Sequence, residues 1–330
     1  MNRIIVTGGA GFIGFHLADY LSNNDKNEVT IIDNFTRNKE DKDFQKLLSK
    51  NNVRFILADM TNSDFYSHLT GFYDSIYHLA AINGTKYFYE KPYEVLRVNI
   101  LSLMNLIEWI NPSNCGKFVF TSSSEAYAGT INKASDIQDY MPTKEDIPLS
   151  VDNVFNARFS YGGSKITGEL LTINYFRKVD VPYSIIRYHN IYGPRMGYEH
   201  VIPEFLVRCY KDENPFNIMG GEETRAFCYI SDAVTATELV MENQNCSNEI
   251  LHVGNSNEEI KIIDLAQKVL HYLKLDTPIN IKPAPKGCVM RRCPNIEKLK
   301  NLTGYSPKVP LNKGIELSHL WYKEHTSVGV

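Results

Sequence analysis

Tyr161 and Lys165 stand four residues apart, which places both side chains on one face of a helix if a helix forms there. A lysine ammonium beside a phenol favours the phenolate and lowers the tyrosine pKa from its usual value of about 10. The pair could therefore supply a general base for a substrate hydroxyl near neutral pH. Because Tyr-x-x-x-Lys is common by chance, a solvated helix face remains the alternative unless other residues support the pair.

Support comes from a serine-rich run, SSSEAY at residues 122–127, which follows a strand predicted at Lys117–Thr121. The active groups of open parallel sheets gather at the carboxyl ends of strands. A serine there can hydrogen-bond the reacting hydroxyl, although a capping turn also explains a run of serines.

A glycine-rich turn occupies residues 7–14, with the sequence TGGAGFIG between a predicted strand and a predicted helix. Gly8 permits the tight turn, Gly11 lets the backbone approach a pyrophosphate, and Gly14 allows close packing of helix on strand. The helix N-terminus then offers free N–H groups and a positive dipole end to an anion. The alternative is a glycine turn that serves packing only.

Asp33 ends the second predicted strand at the distance from the glycine turn that dinucleotide sites require. A carboxylate there accepts hydrogen bonds from the adenosine ribose hydroxyls and repels a 2′-phosphate, which favours NAD over NADP. Arg37 lies nearby and leaves NADP as an alternative.

The elements that must hold these residues alternate between strand and helix. This pattern predicts an α/β fold, a Rossmann-type doubly wound parallel sheet with a smaller C-terminal α/β substrate domain. We expect an NAD-binding domain at 1–189, joined by parts of about 228–255, and an interleaved substrate-binding domain at 190–330. The predicted strands are Arg3–Thr7, Val29–Ile32, Val53–Leu57, Ser75–Leu79, Lys117–Thr121, Tyr183–Tyr188 and Leu251–Val253. The predicted helices are Phe12–Leu21, Tyr93–Ile110, Tyr161–Arg177, Ile262–Leu273 and Ile315–Tyr322.

Composition excludes several classes of protein. The 330 residues are 43% hydrophobic and 22% charged, which excludes a disordered or collagen-like chain. With 35 basic against 38 acidic residues the formal charge is −3, so we expect no nucleic-acid partner. No apolar stretch approaches the ~18 residues of a membrane span, and the start of the chain lacks a signal-peptide pattern, so we expect no membrane partner. The six cysteines form no C-x-x-C, so we predict reduced thiols, no metal site and a cytoplasmic location.

Taken together, the motifs resemble the extended short-chain dehydrogenase/reductases, specifically the nucleotide-sugar epimerase/dehydratase family. The resemblance covers nearly the whole chain, and the combination of motifs is far more specific than any one of them. The motifs are Thr7–Gly14, Asp33-Asn34, Asp59-Met60, HLAA at 78–81, Asn99, Ser122–Tyr127, Tyr161–Lys165, RYHNIYGPR at 187–195, TRAF at 224–227 and RCPN at 292–295.

This resemblance implies bound NAD, a nucleotide-sugar substrate linked to UDP, GDP or dTDP, and a homodimer formed through two long helices. The implied catalytic residues are Ser123, Ser124, Glu125, Tyr161 and Lys165. The implied cofactor-binding residues are Gly8, Gly11, Phe12, Ile13, Gly14, Asp33, Asn34, Asp59, Met60, Leu79, Ala80, Ala81, Asn99, Tyr161 and Lys165. Asn190 is implied at the sugar nucleotide, and Arg225 and Arg292 at its diphosphate, where guanidinium groups suit phosphate binding.

Members of this family share a first step that yields a 4-keto sugar, and additional acid/base groups decide the fate of that ketone. Glu125 stands where the family often places such a group. The Ser-Ser-Glu of residues 123–125 is similar to the Thr-Ser-Glu of UDP-glucuronate decarboxylases and GDP-mannose 4,6-dehydratases. It departs from the Thr-Asp-Glu of dTDP-glucose 4,6-dehydratases because Ser124 replaces the Asp.

We therefore favour 4,6-dehydration or C6 decarboxylation with Glu125 as the added acid/base. An epimerase acting at C4, or at C3 and C5, is the alternative, and a non-catalytic NAD-binding protein is a second one. The His-Asn pair at residues 189–190 is similar to that of GDP-mannose 3,5-epimerase, and His189 is either a second acid/base or, as we favour, a packed core histidine.

Overall fold

The fold is described by a computed structural model that covers residues 1–37, 40–284 and 289–326. Cys288, one of the six cysteines, lies outside these residues. The strands are β1 (Asn2–Thr7), β2 (Asn27–Asp33), β3 (Val53–Leu57), β4 (Tyr73–His78), β5 (Cys115–Ser123), β6 (Tyr183–Tyr188), β7 (Ile191–Tyr192), β8 (Phe216–Met219), β9 (Thr224–Ala226), β10 (Cys228–Tyr229), β11 (Glu249–Val253), β12 (Glu259–Lys261), β13 (Ile279–Lys282) and β14 (Arg291–Arg292).

The α-helices carry the long amphipathic stretches between these strands. They are α1 (Phe12–Leu21), α2 (Lys42–Leu48), α3 (Thr85–Glu90), α4 (Pro92–Trp109), α5 (Ala128–Lys133), α6 (Phe159–Phe176), α7 (Val201–Tyr210), α8 (Ile230–Glu242), α9 (Ile262–Tyr272), α10 (Glu297–Thr303) and α11 (Leu311–His325).

Seven parallel strands form the main sheet in the order β11-β6-β5-β4-β1-β2-β3. The register places Val6 of β1 between Ile31 of β2 and Tyr77 of β4, so buried apolar side chains meet across the centre of the sheet. The strand order reverses at β1, where β2 lies on one side and β4 on the other. A crevice opens at such a switch point, beyond the carboxyl ends of the strands.

Helices cover both faces of this sheet because its strands are buried on both sides. On one face, α1 and α8 bury Leu17 and Val240 against the sheet. On the other, α4 and α6 contribute Leu106 and Phe176. The predicted doubly wound α/β fold is confirmed.

The chain beyond β6 forms smaller sheets and then returns to the main one. β13 pairs with β8, while β12 and β14 flank β9. Strand β11, which lies between β10 and β12 in the sequence, pairs in parallel with β6 of the main sheet. The pairing runs from Glu249 opposite Ser184 to Val253 opposite Tyr188. The edge of the main sheet is therefore completed by residues that follow a long excursion into the smaller region.

Every predicted strand and helix is present, most within two residues of the predicted ends, and the last helix is longer than predicted at Leu311–His325. Helices α2, α3, α5, α7, α8 and α10 were not predicted, and neither were strands β7, β8, β9, β10, β12, β13 and β14. In the described ranges, no helix combines the length and apolar character needed to cross a membrane. The cysteines within those ranges are buried free thiols.

Candidate active site

A cleft of about 1070 Å³ lies beyond the carboxyl ends of β1, β2, β4 and β5. Residues of the smaller region close its other side. The predicted site residues that line it are Gly8, Gly11, Phe12, Ile13, Gly14, Asp33, Asn34, Asp59, Met60, Leu79, Ala80, Ala81, Ser123, Ser124, Glu125, Tyr161, Lys165, Asn190, Arg225 and Arg292.

Asn99 is the predicted site residue that does not line this cleft. It is buried on α4, where its Oδ1 accepts a hydrogen bond from the Ile82 N–H at 2.7 Å. Its Nδ2 donates to the Ile82 carbonyl at 3.2 Å and to Ser164 Oγ at 3.0 Å. Asn99 therefore links the loop after β4 to α6. It lies behind the residues that line the cleft.

The glycine-rich turn has no room for side chains. Gly8 has φ +69°, and a Cβ there would lie 2.7 Å from the Ala80 nitrogen. A Cβ on Gly14 would lie 2.3 Å from the Gly8 carbonyl oxygen. Helix α1 begins directly after Gly11, which has no side chain with which to cap the N–H groups of the first turn. The turn therefore presents bare backbone to the cleft, as a bound pyrophosphate requires.

Asp33 is fixed at the end of β2 by two backbone N–H groups. Ala10 N donates to its Oδ2 at 3.0 Å and Phe35 N to its Oδ1 at 2.8 Å. Burial raises the pKa of this carboxyl, and the backbone donors oppose that rise. Asp33 therefore ties the glycine turn to the end of β2 and presents its carboxylate to the cleft.

The phenol of Tyr161 is buried in the middle of the cleft lining. Its ring stacks on Phe88 with centroids 4.8 Å apart, and its hydroxyl is hydrogen-bonded to the Ser123 hydroxyl. Ser123 also accepts a hydrogen bond from the Glu125 N–H at 3.2 Å, which starts the short 3₁₀ turn after β5. The carboxyl end of β5 and the first turn of α6 thus bring Ser123 and Tyr161 together, as predicted.

Lys165 does not lower the tyrosine pKa in the way the four-residue spacing predicted. Its Nζ donates to the Thr121 carbonyl at 2.8 Å and lies 5.5 Å from the centre of the Tyr161 ring. Burial raises the pKa of Tyr161, with Ser123 opposing the rise and Glu125 adding to it. Burial also lowers the pKa of Lys165 to about 8. In the protein alone, burial therefore works against the phenolate that the four-residue spacing predicted.

Glu125 forms ion pairs with two arginines. Arg158 Nε and Nη2 lie 3.0 and 2.9 Å from its carboxylate oxygens, and Arg292 Nη1 lies 2.6 Å from Oε1. Burial alone raises the pKa of Glu125, but Arg292 and Arg158 outweigh burial and hold the pKa at about 2. Glu125 is thus a fixed anion at neutral pH, whereas the sequence suggested a group that exchanges protons.

Arg158 was missed by the sequence reasoning. Its position three residues before Tyr161, just ahead of α6, was the available signal, because it places a guanidinium at the same helix end as the phenol.

A buried polar network lies beneath the catalytic residues. Glu169, one helical turn after Lys165, accepts from Ser122 Oγ at 2.6 Å and from two nitrogens of Arg187 at 2.8 and 2.6 Å. Arg187 also contacts the Tyr127 hydroxyl. Glu169 raises the pKa of Lys165 against the effect of burial. The network therefore fixes α6 on β5 and β6 and supports the charge on Lys165.

His189 is fully buried and does not line the cleft. Its ring packs edge-on against His252 at 4.6 Å, and burial together with His252 holds its pKa well below the usual value. Neither ring nitrogen has a hydrogen-bond partner among the described residues. This environment fits a packed, neutral core histidine.

The fold and the cleft define a dinucleotide-dependent enzyme of the Rossmann type. The family model for the NAD-dependent epimerase/dehydratase family matches residues 4–254, and the chain belongs to this family. Within the described residues no group of three His, Cys, Asp or Glu side chains is arranged to hold a metal ion.

Similar proteins cover almost the whole chain. UDP-N-acetyl-alpha-D-glucosaminuronate decarboxylase from Bacillus cytotoxicus is 31% identical over 98% of this chain and 98% of its own. UDP-glucuronic acid decarboxylase 6 from Arabidopsis thaliana is 30% identical over 96% of this chain and 87% of its own. Among solved structures, UDP-glucuronic acid 4-epimerase from Bacillus cereus, in complex with UDP-glucuronic acid and NAD, superposes with a TM-score of 0.85 at 28% identity, over 98% of this chain and 99% of its own.

NAD is the cofactor of this enzyme, and the residues present fit it. The bare glycine turn would hold the pyrophosphate, Asp33 the adenosine ribose, and Tyr161 and Lys165 the nicotinamide end. When bound, NAD supplies a reversible acceptor for hydride from the substrate.

Proposed function

We propose that this enzyme removes the C6 carboxyl group of a UDP-linked uronic acid through a 4-keto sugar. The observation that supports this proposal best is the cluster of Glu125, Arg158 and Arg292 in the cleft, in which two guanidinium groups face one carboxylate. Arg292 Nη2 is buried and has no hydrogen-bond partner among the described residues. This nitrogen is therefore available to an acid group of the substrate.

With NAD bound, its positive nicotinamide would favour the phenolate of Tyr161, which takes the proton of the sugar 4-hydroxyl, assisted by Ser123. The hydride of C4 would pass to the bound NAD. Once C4 is a ketone, the C6 carboxylate belongs to a β-keto acid. The C5–C6 bond then breaks, CO₂ leaves, and the electron pair moves into the C4 carbonyl to give an enolate. A proton from solvent replaces the carboxyl group at C5. The C4 carbonyl would regain its hydride from the bound cofactor, and Tyr161 returns its proton to the C4 oxygen.

The ionised Glu125 favours this reaction over dehydration. Loss of the C6 hydroxyl as water needs a proton donor, and a carboxyl with a pKa of about 2 is not one at neutral pH. Ser124, which replaces the Asp of dTDP-glucose 4,6-dehydratases, supplies no acid either. We therefore set 4,6-dehydration below decarboxylation.

Epimerisation at C4 of the same uronic acid is the second candidate. It is supported by the close superposition on the Bacillus cereus epimerase and by a Glu125 that moves no proton, because a 4-epimerase needs no acid besides Tyr161. In that case Arg292 would bind the C6 carboxylate without releasing it.

A panel of UDP-glucuronate, UDP-N-acetylglucosaminuronate, UDP-glucose, GDP-mannose and dTDP-glucose separates the candidates. Decarboxylation lowers the mass of the product by 44 Da, dehydration lowers it by 18 Da, and epimerisation changes the NMR spectrum at constant mass. A uronate product of unchanged mass would replace our proposal with the epimerase. NAD binding without conversion of any sugar would support the non-catalytic alternative.

We further propose a cytoplasmic homodimer that pairs α4 and α6 with the same helices of a second copy. These helices pack side by side and expose apolar side chains, with Tyr93 71% exposed, Leu170 56% and Leu96 36%. The division into an NAD-binding domain at 1–189 and a substrate-binding domain at 190–330 also remains a proposal. Asn190 and Arg225 are proposed to bind the nucleotide-sugar, while Arg292 moves in our proposal from the diphosphate to the sugar acid.

A further inference from the structure

The two arginines hold Glu125 in different ways. Arg158 contacts both carboxylate oxygens, with Nε 3.0 Å from Oε2 and Nη2 2.9 Å from each oxygen. Arg292 contacts one oxygen through Nη1. A two-point guanidinium–carboxylate pair fixes direction as well as distance, whereas a one-point pair leaves the guanidinium free to swing.

The two arginines also belong to different parts of the fold. Arg158 comes directly before α6 and is held by its own backbone N–H, which donates to Asn156 Oδ1 at 3.1 Å. The first turn of α6 lies on Glu125 itself, since a Cβ on Gly162 would be 2.9 Å from the Glu125 carbonyl oxygen. Arg292 lies on β14, which pairs with β9 in the smaller region. Arg158 and Glu125 thus form one rigid unit, which Arg292 approaches from across the cleft.

We infer that Arg158 is a positioning residue that keeps Glu125 in place, so that Arg292 can release this carboxylate and bind the acid group of the substrate. The inference rests on the proposed uronic acid substrate but not on the loss of CO₂. The charged groups that act most strongly on Glu125 are Arg292 and Arg158, and Glu125 in turn acts on the phenol of Tyr161.

Removing Arg158 leaves Arg292 as the remaining guanidinium partner of Glu125 among the described residues. Glu125 then competes with the substrate acid for Arg292 and weakens its binding. The competition ends when Glu125 is protonated, and the pKa of Glu125 rises once Arg158 is gone. The affinity of such a variant for a uronic acid therefore improves as the pH falls, while the affinity of the unaltered protein stays flat.

The test measures binding of UDP-glucuronate and UDP-glucose by calorimetry at pH 5 and pH 8. All proteins carry Tyr161→Phe to stop turnover and are loaded with NAD. Arg158→Gln is expected to bind UDP-glucuronate about tenfold less tightly at pH 8 than at pH 5, with UDP-glucose unchanged. Adding Glu125→Gln to Arg158→Gln removes the competitor and restores the affinity at pH 8. Arg292→Gln abolishes the preference for UDP-glucuronate at both pH values.

Arg291→Gln is the matched control, because Arg291 holds Glu259 through the same two-point geometry, at 2.7 and 2.8 Å, and does not line the cleft. It should bind both sugars as the unaltered protein does. The inference is overturned if Arg158→Gln shows no pH-dependent loss, or if Glu125→Gln fails to restore binding.

The outcomes separate this inference from the proposed function. Preferential binding of UDP-glucuronate with the predicted rescue, but no loss of 44 Da from the active enzyme, would contradict decarboxylation and leave the role of Arg158 intact. If the active enzyme releases CO₂ but Arg158→Gln binds both sugars as Arg291→Gln does, the proposed function stands and the role of Arg158 is contradicted. Equal binding of the two sugars by the unaltered protein would overturn the inference.

Discussion

Arg37 and Glu199 form an ion pair across the dinucleotide cleft, with 2.8 Å between Nη2 and Oε1. Arg37 follows β2 and Asp33, while Glu199 precedes α7 in the smaller region. Gly84, with φ +117°, leaves the space for the pair, since a Cβ there would lie 2.9 Å from Glu199 Oε1. The pair joins the two sides of the cleft. It also neutralises Arg37, the residue for which the sequence kept NADP as an alternative cofactor.

Replacing Glu199 by Gln should relax cofactor choice. The freed Arg37 guanidinium becomes available to a 2′-phosphate, so NADP affinity is expected to rise up to about tenfold while NAD affinity changes little. Quenching of tryptophan fluorescence can follow both titrations, because Trp321 lines the cleft. Arg37→Gln and the double variant are the controls and should show no gain. An unchanged NADP affinity in Glu199→Gln would contradict the prediction.

The protonation of Tyr161 gives a pH prediction. Burial raises the pKa of this phenol, so the cofactor-free protein should show no phenolate absorbance from Tyr161 up to pH 9. The oxidised nicotinamide of NAD carries a positive charge that would favour the phenolate. The phenolate absorbance of Tyr161 should therefore appear only in the NAD-loaded protein. Subtracting the spectrum of Tyr161→Phe isolates the absorbance of Tyr161 from that of the other tyrosines. This variant should bind NAD and lose at least about a hundredfold in turnover. A phenolate signal without NAD would restore the sequence-based expectation.

The buried ion pair between Glu169 and Arg187 should be costly to break. Glu169→Gln leaves a buried guanidinium without its counter-charge, and we expect a loss of about 3–5 kcal/mol in the free energy of unfolding. Glu213→Gln removes a similar two-point pair with the partly exposed Arg208, for which a loss of about 0–1 kcal/mol is expected. Urea unfolding measures both, and equal losses would show that burial does not decide the cost.

Oligomeric state tests the proposed dimer. Leu170→Glu places a charge on the exposed apolar face of α6 and should convert a dimer into monomers in sedimentation experiments. Leu320→Glu, on a comparably exposed side chain of α11 (52%), should leave the dimer intact. A monomeric unaltered protein, or a Leu170→Glu protein that stays dimeric, would contradict the proposed interface.

The parts of the molecule that sequence predicted are those set by local pattern. The strands of the main sheet are short runs rich in β-branched and aromatic residues, and the glycine turn and Asp33 are recognised by their spacing. Because parallel strands end at one edge, residues 122–125 and Tyr161 could be expected to meet.

Long-range partners could not be predicted in the same way. Arg158 and Arg292 are far apart in the chain, so nothing near Glu125 indicates that two guanidinium groups would hold it as an anion. The pKa of Tyr161 was expected to fall because the spacing shows Lys165 nearby, but burial and the hydrogen bond from Lys165 to Thr121 depend on the folded protein. Helix α8 was missed because it directly follows the short strands β9 and β10, in a part of the chain where prolines and short strands obscure the helical periodicity of apolar residues.

The edge strand β11 has a consequence for how the protein is made. Because β6 finds its outer neighbour only in Glu249–Val253, the nascent chain leaves the ribosome with an open sheet edge until some 60 further residues have been synthesised. A fragment ending at residue 189 would carry that open edge permanently and tend to aggregate. Two separately expressed halves are thus a poor route to an active enzyme.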